Sequence, residues 1–131
     1  DPFYLMKVKE STIDGAGLGT FATQFIPKNT DLGKYYGNFT KKSPVDTTYV
    51  WTFFQKDKFG NLFRGFIDGK DFKENNPLRY VNAPKNQQEK PLLNTKQVQQ
   101  EGSIHYLTTR NIFKGEELFI DYGSNYWRGR R

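Results

Sequence analysis

Three short segments carry residue types whose spacing could support chemistry. The first is Gly15-Ala16-Gly17-Leu18-Gly19. Closely spaced glycines let a backbone approach a ligand or adopt φ > 0. A dinucleotide fingerprint needs G-x-G-x-x-G between a strand and a helix. Here the spacing is G-x-G-x-G, followed by strand-like sequence and Pro27, which argues against that use. A tight turn is the plain alternative. The second segment runs from Asp68-Gly69-Lys70 to Arg79-Tyr80-Val81-Asn82-Ala83-Pro84. An Asn amide is both donor and acceptor, which suits a small zwitterionic ligand as well as it suits a turn. The third is Gly115-Glu116-Glu117-Leu118-Phe119-Ile120-Asp121-Tyr122-Gly123. A tyrosine before a glycine can present its hydroxyl to a cavity, as a donor at neutral pH, or it can pack as a rim aromatic. His105 is the single histidine and there is no cysteine. Thiolate metal sites, disulfides and cysteine nucleophiles are therefore excluded, and a zinc site or a Ser/His/Asp triad without a G-x-S-x-G elbow is disfavoured; the sequence assigns no metal.

Around these segments the chain is polar and basic. It has 131 residues, 20 basic against 14 acidic, and a net charge of +6. Its length predicts one domain, residues 1–131, able to bury an ordinary core. No apolar run approaches the ~18 residues of a membrane span, so no membrane partner is expected. The opening Asp1-Pro2-Phe3-Tyr4 lacks basic and apolar signal regions, so no signal peptide is expected there, and the chain reads as part of a longer protein. The positive balance permits a nucleic-acid contact, yet the charge is scattered. The one dense cluster, Arg128-Gly129-Arg130-Arg131, reads as a solvated basic tail. Aromatic content is 17%, with eight tyrosines and twelve phenylalanines, which is high for so polar a chain.

The elements that must position these segments are short strands. No window holds an i, i+3, i+4, i+7 apolar pattern. Strands are predicted at Tyr4–Val8, Leu18–Ala22, Tyr49–Phe54, Leu62–Ile67, Ser103–Thr109 and Glu117–Asp121, with a hairpin loop over 57–61 and a turn over 111–115. Alternation places His105 and Tyr106 on opposite faces. The polar stretch 70–94 is predicted to be loop with one short helical turn. The expected class is mostly β, with several small sheets and few short helices.

Taken in order, these motifs resemble a SET domain, a family of S-adenosylmethionine-dependent protein-lysine methyltransferases. The family shows G-x-G near its start, an aromatic-x-Gly strand, R-[FY]-x-N-H and G-E-E-L-x-x-[DN]-Y-G. The matching residues are Gly17-Leu18-Gly19, Tyr35-Tyr36-Gly37, Arg79-Tyr80-Val81-Asn82 and Gly115 to Gly123. Gly33 to Gly37, Tyr49-Val50-Trp51, Ile67 to Asp71 and Ile104-His105-Tyr106 look most like the PR subgroup. The resemblance implies a β-clip-like fold of small twisted sheets in which the C-terminal segment threads under a loop as a pseudoknot. It also implies a nuclear chromatin regulator acting on a histone tail or nucleosome.

The resemblance further implies an in-line displacement in which a lysine amine attacks the methyl group of S-adenosyl-L-methionine, leaving S-adenosyl-L-homocysteine. Tyr122 matches the main catalytic tyrosine, and Tyr35 and Tyr106 the other two tyrosines of the channel. Gly17, Leu18 and Gly19 would contact the cofactor through backbone, Tyr49 would pack on it, and Asn82 and Ala83 would meet its amino-acid end. Tyr126 or Trp127 would close over the adenine or the substrate. Ala83 stands where the wider family has histidine, so a catalytically silent interaction module is the alternative. A basic domain that receives basic tails would need an acidic lip, for which Glu116, Glu117 and Asp121 are candidates; otherwise its positive surface would face nucleosomal DNA.

Overall fold

The computed structural model describes residues 1–84, 91–100 and 102–121. A 3₁₀ turn at Pro2–Leu5 opens the chain, with the Asp1 carboxylate accepting from the Phe3 amide at 2.8 Å. The first strand therefore starts later than the sequence predicts, as β1 (Met6–Glu10). β2 (Leu18–Ala22) pairs with it antiparallel, Met6 opposite Ala22 and Glu10 opposite Leu18. The connection closes where the Ser11 amide donates to the Gly17 carbonyl at 2.8 Å. Gly17 has φ +78°, a conformation that costs a side-chain-bearing residue about 1–2 kcal/mol.

Two three-stranded sheets follow. One is β3 (Asp31–Lys34), β8 (Ser103–Thr108) and β7 (Thr95–Gln100), in the order β3-β8-β7. The other is β4 (Asn38–Thr40), β6 (Leu62–Asp68) and β5 (Val50–Lys56), in the order β4-β6-β5. The β5–β6 hairpin forms because aromatic and β-branched residues run into a polar turn. Within that turn the Asp57 carboxylate accepts from the Phe59 and Asn61 amides, both at 2.9 Å. β7 is an edge strand of Thr, Lys and Gln around a single Val98, and only Thr95 within it is buried. Its stability comes from pairing with β8 and not from an apolar face of its own.

The sheets meet across an apolar core that includes Leu5, Ala22, Ile26, Leu32, Leu78, Val81, Ile104, Ile112, Leu118 and Ile120. Each large aliphatic side chain so buried contributes about 1.5–3 kcal/mol. Alternation holds along β8: Ile104, Tyr106 and Thr108 are buried, while His105 faces outward with Nδ1 3.1 Å from Asp31 Oδ1. The helical turn expected in the polar stretch is a 3₁₀ turn at Pro77–Tyr80, tied to β2 by the Thr20 hydroxyl on the Pro77 carbonyl at 2.5 Å.

The segment 117–120 is not the regular strand that its sequence suggests. It changes partner at almost every residue, bridging Phe21 antiparallel through Glu117, Asn82 parallel through Phe119, and Thr95 parallel through Ile120. The Ile120 amide donates to the Asn82 carbonyl at 2.9 Å, and the Thr95 amide donates to the Phe119 carbonyl at 3.1 Å. The C-terminal segment thus passes between the two ends of the stretch that joins Asn82 to Asn94. Asn94 secures the crossing. It is 1% exposed, and its Nδ2 donates to the Glu117 carbonyl at 2.9 Å while its Oδ1 accepts from the Phe119 amide at 2.8 Å.

Candidate functional site

The residues singled out by sequence gather in two groups. The first surrounds Glu117. Its carboxylate, 6% exposed, accepts from Ser11 Oγ at 2.7 Å, the Thr12 amide at 2.8 Å, Thr12 Oγ1 at 2.5 Å and Asn82 Nδ2 at 3.3 Å. Asn82 Nδ2 also donates to the Leu18 carbonyl at 2.9 Å. Leu18 and Asn82, far apart in sequence, therefore sit side by side, with Ala83 buried behind them. Both Nδ2 hydrogens of Asn82 are committed within the protein. Any hydrogen bond from this side chain to a ligand runs through Oδ1, an acceptor. Gly19 is glycine because a Cβ there would run into the Glu117 carboxylate. Gly17, by contrast, faces open space.

A lip role for Glu117 is therefore overturned. The carboxylate is an internal clamp, bonded on all sides, and it contributes no exposed charge. Glu116 accepts from the Phe113 amide at 2.8 Å within its own turn, and Asp121 is exposed.

The second group is aromatic. Tyr35 and Tyr106 are buried at 2% and 1% exposure, and their rings stack with centroids 5.7 Å apart at 24°. Trp51 stands edge-on to Tyr106 and donates from Nε1 to its hydroxyl oxygen at 2.7 Å. Tyr35 donates its hydroxyl proton to the Tyr49 carbonyl at 2.8 Å, and that carbonyl also accepts from the Gly69 amide at 3.0 Å. Two stacked phenols held by hydrogen bonds make a rigid aromatic pair whose hydroxyl oxygens are engaged by Trp51 and the Tyr49 carbonyl.

Arg79 joins the two groups, a role that sequence reading missed although the residue sits in a quoted motif. It is buried at 7% exposure. Its Nε donates to the Gly69 carbonyl at 2.9 Å and its Nη2 to the Lys70 carbonyl at 3.0 Å. Its guanidinium lies 3.8 Å over the Tyr49 ring and 4.9 Å from that of Tyr80. Carbonyl acceptors and ring faces offset the cost of burying this charge. Tyr49 is fixed as a result, and Asn82 follows three residues after Arg79, just past the turn, where it bridges Phe119. Trp51 and Asn94 also escaped the sequence reading. Only Trp51 carried a signal, lying in a segment shared with the PR pattern.

Two cavities touch the edges of these groups, one at Leu18 and the other at Tyr35, and neither is lined by Asn82, Glu117, Tyr49 or Tyr106. A cavity of ≈ 520 Å³ is bordered by Leu18, Pro77 and Tyr80. Another of ≈ 390 Å³ is bordered by Tyr35, Phe53, Ile67 and Ile104. Tyr122, Tyr126 and Trp127 lie outside the described residues.

The family model for the PR domain of PR domain zinc finger protein 2 matches residues 6–131. The chain belongs to the PR-domain family. This PR domain is 35% identical over 124 residues to a Caenorhabditis elegans protein named histone-lysine N-methyltransferase set-17, a match that covers 93% of the chain and 42% of that protein. It is 33% identical over 129 residues to mouse PR domain zinc finger protein 14, covering 95% of the chain and 21% of the relative. The chain thus spans well under two thirds of these relatives. Among solved structures, the methyltransferase domain of human PR domain-containing protein 2 aligns with a TM-score of 0.69 at 27% identity, covering 92% of this chain and 78% of that one. The small sheets, sparse helices and threaded C-terminal segment are those of the SET fold.

Proposed function

We propose that this PR domain transfers a methyl group to the side-chain nitrogen of a lysine in a protein substrate, most simply a histone tail, within the nucleus. The observation that carries the reading is the convergence of separated motifs. Leu18 meets Asn82 through a 2.9 Å hydrogen bond, and Tyr35 stacks on Tyr106 nearby. The family name of the Caenorhabditis elegans relative supports the same class of reaction.

S-adenosylmethionine, when bound, supplies a methyl group activated by a sulfonium. The residues present suit it. The backbone at Gly17 borders open space, Asn82 Oδ1 is an acceptor for an ammonium group, and Tyr49 offers a ring fixed by Arg79. Ala83 contributes through its backbone. The chain's own work is alignment and electrostatics. A free lysine amine has a pKa near 10.4, and only its neutral form attacks. An aromatic pair such as Tyr35–Tyr106 desolvates the ammonium and favours the neutral form, and a neighbouring positive charge does the same. The Tyr35 hydroxyl donates its proton to Tyr49, so toward an amine N–H its oxygen acts as an acceptor. Tyr122 is assigned the principal orienting role, and Tyr126 or Trp127 the closure over adenine or substrate.

Transfer of radiolabel from S-adenosylmethionine to core histones tests the proposal. No transfer across varied substrates and pH would count decisively against it. Ala83, in place of the wider family's histidine, favours one second reading, a silent interaction module. Calorimetry with S-adenosylmethionine separates the two, because a module of that kind binds no cofactor.

A further inference from the structure

The β5–β6 hairpin carries a surface that the methyl-transfer reading leaves unused. β4 pairs with β6 only at Phe66, Ile67 and Asp68. Beyond Gly65 no third strand lies on that flank among the described residues, and the hairpin continues as a two-stranded ribbon to its turn. On one face of the ribbon Phe54 lies opposite Arg64, and Lys56 lies opposite Leu62. All four are exposed, Phe54 at 53% and Leu62 at 65%. Apolar and cationic side chains therefore alternate both along and across the strands. At the turn Phe59 is 76% exposed, with the Lys58 ammonium 5.2 Å from its ring centroid. Asp57 is the sole acid between residues 50 and 66, and its carboxylate is turned inward onto the Phe59 and Asn61 amides. The ribbon is also held in place, since the Gln99 side chain bonds both the amide and the carbonyl of Phe54.

We infer that this hairpin face binds single-stranded nucleic acid. Lys56, Lys58 and Arg64 supply phosphate contacts, while Phe59 and Phe54 supply flat surfaces on which bases stack. The interleaving selects this occupant. A protein-binding patch loses lysine from its apolar centre, and an acidic peptide offers nothing for exposed phenyl rings to stack on. Duplex DNA keeps its base faces hidden within the stack, so exposed aromatics favour a single strand. The general expectation of a nucleic-acid contact thus acquires a surface, and the inference does not depend on methyl transfer.

The test is fluorescence anisotropy with a fluorescein-labelled dT20 strand between 50 and 200 mM salt. Wild-type affinity should fall steeply with salt. The triple variant Lys56→Gln, Lys58→Gln, Arg64→Gln should bind more weakly and flatten the log–log salt slope by about two, since each phosphate no longer neutralised lowers the slope by about 0.7. Phe59→Ala, which changes no charge, should weaken binding by about five-fold or more. An equal charge change elsewhere, Lys7→Gln, Lys28→Gln, Lys114→Gln, should leave the slope closer to wild type. Equal losses in both triple variants, or a duplex of the same length binding as tightly as dT20, would overturn the inference, as would an unaffected Phe59→Ala. Should the hairpin triple variant misfold, Phe59→Ala decides alone. Calorimetry with S-adenosylmethionine on the same proteins separates this surface from the methyl-transfer site. A wild-type chain that binds dT20 and not the cofactor sinks the enzymatic reading and supports this one.

Discussion

Replacing Glu117 with alanine should weaken both the fold and the proposed cofactor site, and the geometry sets the size of the loss. Four donors converge on the carboxylate, from Ser11, Thr12 twice and Asn82. The two hydroxyls can rotate toward water. The Thr12 amide and Asn82 Nδ2 are fixed by backbone and by the Leu18 contact, so they lose a charged acceptor without replacement. Two such bonds at about 1.5 kcal/mol each give a loss of about 3 kcal/mol. For a chain of this length that is a drop in melting temperature of about 12 °C. Glu117→Gln keeps one oxygen but turns an NH₂ group toward donors, so about half the loss is expected. Glu116→Ala is the control, because its carboxylate meets a single amide in an exposed turn, and it should cost under about 1 kcal/mol. Differential scanning calorimetry gives the stabilities, and titration calorimetry gives the affinity for S-adenosylmethionine. A Glu117→Ala protein melting within about 2 °C of wild type, or no less stable than Glu116→Ala, would refute the clamp.

Three further outcomes follow from the same geometry. Tyr106→Phe should cost about 1–3 kcal/mol in urea unfolding, because the buried Trp51 N–H loses its acceptor. Tyr35→Phe should cost less, since the Tyr49 carbonyl keeps the Gly69 amide; the reverse order would contradict the assignment of these bonds. Arg79→Lys should destabilise by roughly 2 kcal/mol or more and weaken cofactor binding, since an ammonium reproduces neither the two-carbonyl grip nor the stacking on Tyr49. Single-turnover methyl transfer should rise from pH 7 to pH 9, because the substrate amine must lose a proton held with a pKa near 10.4 in water; a flat profile would argue against amine deprotonation as the gate.

Where local residue chemistry dictates local structure, the fold reads directly from the chain. Leu18–Ala22 and the Asp57 turn are of this kind, as is the outward His105 beside the inward Tyr106. Where a partner distant in sequence dictates it, residue types mislead. β7 goes unread because its polar side chains carry no strand pattern, and they need only β8's backbone to become a strand. Glu117–Ile120 looks like one strand because Leu118-Phe119-Ile120 is a continuous apolar run, yet its residues are consumed by different neighbours. The site divides in the same way. Motif order places Leu18, Asn82, Tyr35 and Tyr106 together, which spacing alone does not. The carboxylate of Glu117 looks like surface charge until Ser11 and Thr12 are brought to it.

That clamp also has a bearing on how the protein is made. Ser11 and Thr12 lie 106 and 105 residues before the carboxylate that orders them. On the ribosome the glycine turn therefore emerges long before its anchor exists. Contacts of such separation slow folding, and here they also set its sequence. The nascent chain can complete its hairpins early, but its pocket is organised only when the last threaded residues have been synthesised and drawn through. Competence of the proposed cofactor site to bind thus waits for the translation of Glu117.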